Sequence, residues 1–210
     1  MNCSVEFFAP TRTGEAEINE KRSRFIGRVF PVSSEEDARL VIDCAKALFR
    51  DARHNPWCYL LPSGEARSSD DGEPSGTSGA PMLEMLKREN IRGVAVVVMR
   101  YFGGVLLGPG GLARAYTAAA KLAIENAGLV LFVTKTRVLI TAPYPFAAKI
   151  KHEINACGGT EESSDYAENV TISALFSALD AQKFCGSIIE ITAGAVVPEM
   201  SGEALVPAAK

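Results

Sequence analysis

The sequence predicts an α+β protein with two domains, at residues 1–130 and 131–210. A chain of 210 residues is longer than the roughly 100–150 residues of a common single domain. After residue 129, strand and helix patterns follow one another in the order βαββαβ, which is the ferredoxin-like arrangement. The charge also changes along the chain, because residues 152–203 hold nine acidic residues and one basic residue, Lys183. The two domains are therefore expected to present different surfaces.

In the first domain, residues 93–99 form a continuous β-branched run, which is typical of a central strand covered on both faces. A capping box at residues 33–37 begins a helix that runs to about residue 50. Further strands are predicted at residues 21–32 and 57–61, helices at 81–89 and 112–126, and loops at 65–79 and 100–111.

The second domain is predicted from shorter patterns of the same kind. Its strands are expected at residues 137–141, 159–165, 170–175 and 188–193, and its helices at 145–156 and 178–185.

Composition excludes several classes of protein. The net charge of −3 argues against indiscriminate polyphosphate binding. The five cysteines, including Cys3, form no C-x-x-C pair, which favours free thiols in a reducing cytosol. No signal peptide is recognisable, and the longest apolar run is too short to cross a bilayer. We expect a soluble cytoplasmic protein without a membrane association.

Glycine is concentrated in residues 68–116, which contain half of the chain's 18 glycines. Residues 108–113 satisfy G-x-G-x-x-A between a strand and a helix, as in dinucleotide-binding folds. The loop is too long for that motif, and the only acidic residue near the required distance, Glu125, lies inside the following helix. A Walker A sequence is also missing, so no cofactor is expected.

A more general anion site is compatible with this segment. Backbone N–H groups of Gly110 and Gly111 at a helix start could bind phosphate or carboxylate, with Arg100 and Arg114 beside them. The alternative is that the glycines only permit a tight bend from strand to helix.

The neighbouring aromatic residues have two interpretations as well. Tyr101 and Phe102 could stack on a base or fill a pocket of a partner, or they could pack in the core.

Three carboxylates, Asp70, Asp71 and Glu73, lie within four residues. They could hold Mg²⁺, which prefers oxygen ligands. A solvated turn, a helix cap, or pairing with Arg100 or Arg114 is the favoured interpretation, because the loop offers no defined octahedral set.

His54 is one of two histidines in the chain. It could act as a general base beside Asp70 or Asp71, or it could have a structural role. No serine or cysteine nucleophile stands in a recognisable motif.

Several sequence blocks together resemble the YigZ/IMPACT family over about residues 17–127. The blocks are residues 70–77 (DDGEPSGT), 100–104 (RYFGG), 107–108, 110–112 and 114–116, with residues 21–25 (KRSRF) and His54 before them.

The resemblance implies a first domain with the two-layer α/β fold of the second domain of a small-subunit ribosomal protein. It also implies a ferredoxin-like second domain similar to one in elongation factor G. Eukaryotic relatives regulate translation through protein–protein contacts in the pathway of the amino-acid-starvation kinase. For bacterial relatives, nucleic-acid or ribosome binding has been inferred from the fold. Ala80 and Leu106 stand here where the family commonly has basic residues, which weakens the RNA interpretation.

These observations favour a non-catalytic regulatory or binding protein associated with translation, with RNA, the ribosome or a protein as its partner and no sequence-specific DNA binding. The alternative is a hydrolase-like enzyme for a phosphorylated or nucleotide substrate, with a metal at Asp70, Asp71 and Glu73. A purely structural role of the loops is a third possibility. The predicted binding surface consists of His54, Asp70, Asp71, Glu73, Arg100, Tyr101, Phe102, Gly103, Gly104, Gly108, Gly110, Gly111, Arg114 and Tyr116.

Overall fold

The computed structural model describes residues 6–208 and divides them into two compact units, one of residues 7–131 and one of residues 132–208 together with Glu6. Both units combine helices with antiparallel strands. The predicted α+β fold class with two domains is confirmed. Cys3 lies outside the described residues, and the other four cysteines are free thiols. Within residues 6–208, no helix has the length and apolar character to span a membrane.

The first unit is built on one antiparallel sheet with the strand order β2-β3-β6-β4-β5. Its elements are β2 (Gly14–Glu20), β3 (Ser23–Pro31), α1 (Glu35–Leu48), β4 (Trp57–Leu60), β5 (Ala66–Ser69), α2 (Gly79–Arg88), β6 (Val94–Tyr101) and α3 (Pro109–Ala127). β1 (Glu6–Pro10) precedes them and is not a strand of this sheet.

β6 is the centre of this sheet. Its residues from Val94 to Met99 are fully buried because α2 and α3 cover one face and α1 covers the other. The Ser34 hydroxyl caps α1 by accepting the Asp37 N–H at 3.1 Å, and the Asp37 carboxylate accepts in return from the N–H and hydroxyl groups of Ser33. The apolar run and the cap therefore form the elements that their chemistry predicts.

The second unit contains β7 (Leu129–Ala142) from Phe132 onward, followed by α4 (Tyr144–Ala156), β8 (Thr160–Tyr166), β9 (Val170–Phe176), α5 (Ala178–Ile191) and β10 (Glu199–Pro207). In its sheet, β8, β9 and β7 follow in this order, and β10 pairs with β7; all these pairs are antiparallel. This is the strand order of a ferredoxin-like fold.

Several predicted boundaries are wrong. Residues 188–193 do not form a strand, because Phe184 and Ile188 lie one helical turn apart and both are buried on α5. The last strand, β10, comes later. The loop predicted at residues 65–79 contains β5, and the loop predicted at residues 100–111 ends at Pro109, where α3 begins. β1 and β2 lie where no strand is predicted.

Candidate functional site

Asp70 fastens the loop that follows β5. Its Oδ1 accepts hydrogen bonds from the Ser78 hydroxyl at 2.6 Å and from the N–H groups of Ser78 and Gly79, and its Oδ2 accepts the N–H of Gly76 at 2.8 Å. Desolvation raises the pKa of Asp70, but these donors outweigh it and hold that pKa below its usual value. Asp70 thus caps the start of α2, whose own N-cap serine has no side-chain cap bond.

Asp71 connects the same loop to α1 and to the segment before β4. Its carboxylate accepts from Lys46 Nζ at 2.7 Å and from the Asn55 N–H at 2.8 Å. Its carbonyl oxygen accepts from Nδ1 of His54 at 2.9 Å. Desolvation again raises the pKa, and the bonds from Lys46 and Asn55 lower it overall. His54 therefore has one ring nitrogen committed to the backbone of the loop.

Glu73 is buried and points inward. Its Oε1 accepts from Arg100 at 2.6 Å and from the Tyr116 hydroxyl at 2.7 Å. Burial and the bond to Glu73 both raise the pKa of Tyr116. The Arg100 guanidinium lies over the rings of Phe25 and Phe102, at 5.6 and 5.4 Å from their centres. Glu73 thus joins the loop after β5 to β6 through a buried ion pair and to α3 through a hydrogen bond.

The three carboxylates of the acidic loop, residues 70–73, consequently face different partners. Among residues 6–208, no group of three or more histidine, cysteine, aspartate or glutamate side chains is arranged to hold a metal ion. The Mg²⁺ interpretation does not fit this geometry. Arg100, predicted beside an anion site, is paired with Glu73 inside the unit.

The segment after β6 is exposed. At the end of β6, the Tyr101 hydroxyl donates to Asp51, and Arg24 lies over the Tyr101 ring. The side chain of Phe102 is 43% exposed and that of Leu106 is 81% exposed. A cleft of about 300 Å³ lies between this segment and the acidic loop. Its walls are formed by Arg53, His54, Gly72, Glu73, Pro74, Arg100, Phe102 and Leu106.

Gly103 permits a close approach of two chain segments. A Cβ atom at this position would lie 1.9 Å from the carbonyl oxygen of Arg22. Its N–H donates to the Ser23 hydroxyl at 3.3 Å. The turn between β2 and β3 is therefore seated against the end of β6.

The remaining glycines shape the entry into α3. Gly104 and Gly108 have positive φ angles of 84° and 73°, in the region that favours glycine. Gly110 and Gly111 form the first turn of α3, which has no side-chain cap. Arg114 is exposed on the next turn and shares a depression of about 270 Å³ with Gly111, Glu20 and Lys21.

Of the four cations that lie beside this segment, Arg114 belongs to the predicted binding surface, whereas Lys21, Arg22 and Arg53 do not. Lys21, Arg22, Arg53 and Arg114, here called the cationic end, are all exposed. Their side chains make no hydrogen bond or ion pair with protein groups in the part of the chain that the structure describes. The signal in the sequence was the basic pair at residues 21–22, whose place beside Gly103 depends on the strand register.

Comparison with known proteins identifies the relatives of this chain. The model of the Impact N-terminal domain matches residues 21–124, and a domain of unknown function (DUF1949) matches residues 140–195. IMPACT family member YvyE of Bacillus subtilis is 34% identical over 190 residues, which cover 90% of this chain and 88% of that protein. The chain belongs to the IMPACT family.

Other members of the IMPACT family extend the comparison. YigZ of Escherichia coli is 31% identical over 180 residues, covering 84% of this chain and 88% of its own. Protein IMPACT of Mus musculus is 31% identical over 118 residues, 52% of this chain and 36% of that protein. A crystal structure titled as that of a hypothetical protein matches 98% of both chains with a TM-score of 0.61 and 26% identity.

Proposed function

We propose that this IMPACT family chain is a non-catalytic regulatory protein of translation that binds RNA through its cationic end. Membership of the family supports the link to translation, which rests on the resemblance described above. The cationic end supports RNA as the partner. Together with Phe102 it forms the surface on which the proposal depends.

The observation that carries the proposal is a difference in pairing at one end of β6. The acidic side chains there have protein partners, and the basic side chains of the cationic end have none among the described residues. Every carboxylate of the acidic loop accepts hydrogen bonds from protein donors. The four side chains of the cationic end have no such protein partners within residues 6–208. Lysine and arginine contacts to phosphates supply most of the affinity in non-specific nucleic-acid binding. Exposed, unpaired cations fit that role.

Phe102 favours unpaired nucleotides over a regular duplex. Its half-exposed ring lines the cleft together with Arg53. Stacking of one base on an aromatic side chain contributes about 1–3 kcal/mol and does not depend on sequence. Single-stranded RNA is therefore the form that this surface suits best.

A protein partner is the second candidate, because Phe102 and the largely exposed Leu106 are adjacent apolar side chains. Binding of this kind would depend on Leu106 and only weakly on salt. A hydrolase-like activity has less support. The carboxylates that it needs each accept hydrogen bonds from protein donors, and His54 donates to the Asp71 carbonyl.

The test is fluorescence anisotropy with a labelled single-stranded RNA at several salt concentrations. Changing Arg53→Gln and Arg114→Gln together should weaken binding about tenfold and reduce the slope of log K against log salt by about 1.4. The matched control is Lys87→Gln with Arg88→Gln, two exposed cations just before the other end of β6. Equal losses in both double variants, or no binding of RNA by the wild type, would contradict the proposal.

A further inference from the structure

The turn between β2 and β3 is strained. Glu20 pairs with Ser23, so that only Lys21 and Arg22 form the connection. Both have positive φ angles, 45° and 68°. A two-residue turn of this kind normally contains asparagine and glycine, because other side chains crowd the backbone there. Lysine and arginine are poor choices for the conformation that they adopt.

No contact of the two side chains offsets this strain inside the protein. Both are exposed, and within the described residues neither donates to a carboxylate or a carbonyl group. The backbone of Arg22 is nevertheless held in place, since it lies against Gly103 with no room for a side chain between them. The turn thus presents two positive charges from a fixed position.

We infer that the Lys21–Arg22 turn is the main phosphate-contacting element of the chain, and that its strained residues serve RNA binding instead of folding. This inference rests on the proposed function. Backbone strain that no local contact relieves is typical of functional positions. Lys21 also shares its depression with Arg114, so that a second cation lies near the turn; Glu20 is the one carboxylate in the same depression. An RNA backbone crossing the end of β6 can contact these cations with successive phosphates.

The decisive variant replaces the turn by the residues that its geometry prefers, Lys21→Asn with Arg22→Gly. It should raise the thermal unfolding midpoint by about 3 °C, because the strain is removed. It should also weaken binding of the labelled single-stranded RNA about tenfold and lower the salt slope by about 1.4. A gain in stability combined with a loss of binding is not expected for a turn with a structural role.

A second variant separates charge from strain. Lys21→Gln with Arg22→Gln removes the charges but leaves side chains at both strained positions. It should lose RNA affinity to the same extent without the increase in thermal midpoint. The Lys87→Gln and Arg88→Gln pair again controls for the overall change in charge.

The outcomes distinguish this inference from the function on which it rests. If the wild type binds RNA and the Asn-Gly turn binds it equally well, the inference is wrong while the proposed function stands. If the Asn-Gly turn is no more stable than the wild type, the strain argument is wrong. If the wild type binds no RNA, both are overturned.

Discussion

The acidic loop and the cationic end lie at the same end of β6, yet the charges of the loop are paired within the unit and those of the cationic end face solvent. Each carboxylate of the acidic loop is bonded to donors within the unit. The cations of the cationic end face solvent without such partners in the described part of the chain. A dense group of charges in a sequence can therefore belong to the architecture or to a partner. Which of these applies depends on the donors and acceptors that the fold brings near.

The largest effect should come from breaking the buried ion pair. Glu73→Ala leaves the Arg100 charge buried without its partner, so the free energy of unfolding should fall by about 3–5 kcal/mol. Urea denaturation followed by circular dichroism measures this. Glu84→Ala, which breaks only the exposed pair with Lys87, is the control and should leave stability nearly unchanged. Unchanged stability of Glu73→Ala together with lost RNA binding would place the acidic loop in the binding surface.

A smaller loss is expected from the cap on α2. Asp70→Ala removes the acceptor for Gly76, Ser78 and Gly79 and should cost about 2 kcal/mol.

The same side chain makes a pH test possible. Folding lowers the pKa of Asp70, so its stabilisation is complete above the unfolded value near 3.8 and is lost as the pH falls through the lower folded value. Below about pH 4, wild-type stability should consequently decline more steeply than that of Asp70→Asn. If the two proteins lose stability in parallel as the pH falls, the Asp70 carboxylate contributes little to the free energy of unfolding.

The smallest effect on stability is expected at the cationic end. Arg53→Gln combined with Arg114→Gln should change the free energy of unfolding by no more than about 0.5 kcal/mol, because neither side chain has a protein partner to lose. The same urea titration measures it. A loss of several kcal/mol would mean that these cations belong to the architecture like the carboxylates.

Local chemistry predicts part of this molecule well. The β-branched run of β6 and the serine cap of α1 depend on neighbours in the chain, and both form as expected. The last strand was misplaced, because β-branched residues near Ile188 favour a strand while burial against the sheet keeps them helical. Packing against the rest of the unit decided between the two.

The site shows the same limit more clearly. The sequence indicates Glu73, Arg100 and Tyr116 as candidate residues, but their pairing joins positions 27 and 43 residues apart. Only the folded sheet shows that Arg100 and Tyr116 both donate to Glu73. The importance of Lys21 and Arg22 depends on backbone angles and on the approach of Gly103, neither of which leaves a pattern in composition or spacing.

The burial of β6 has a consequence for motion at the binding surface. This strand is paired along both edges, with β3 and β4, and covered on both faces. Its amide hydrogens can exchange with deuterium only when the whole unit opens. The segment with Phe102 and Leu106 follows this strand directly, so its first residue is attached to a buried strand. A ligand bound at this segment would therefore be attached next to β6, which we expect to fluctuate less than the exposed residues around it.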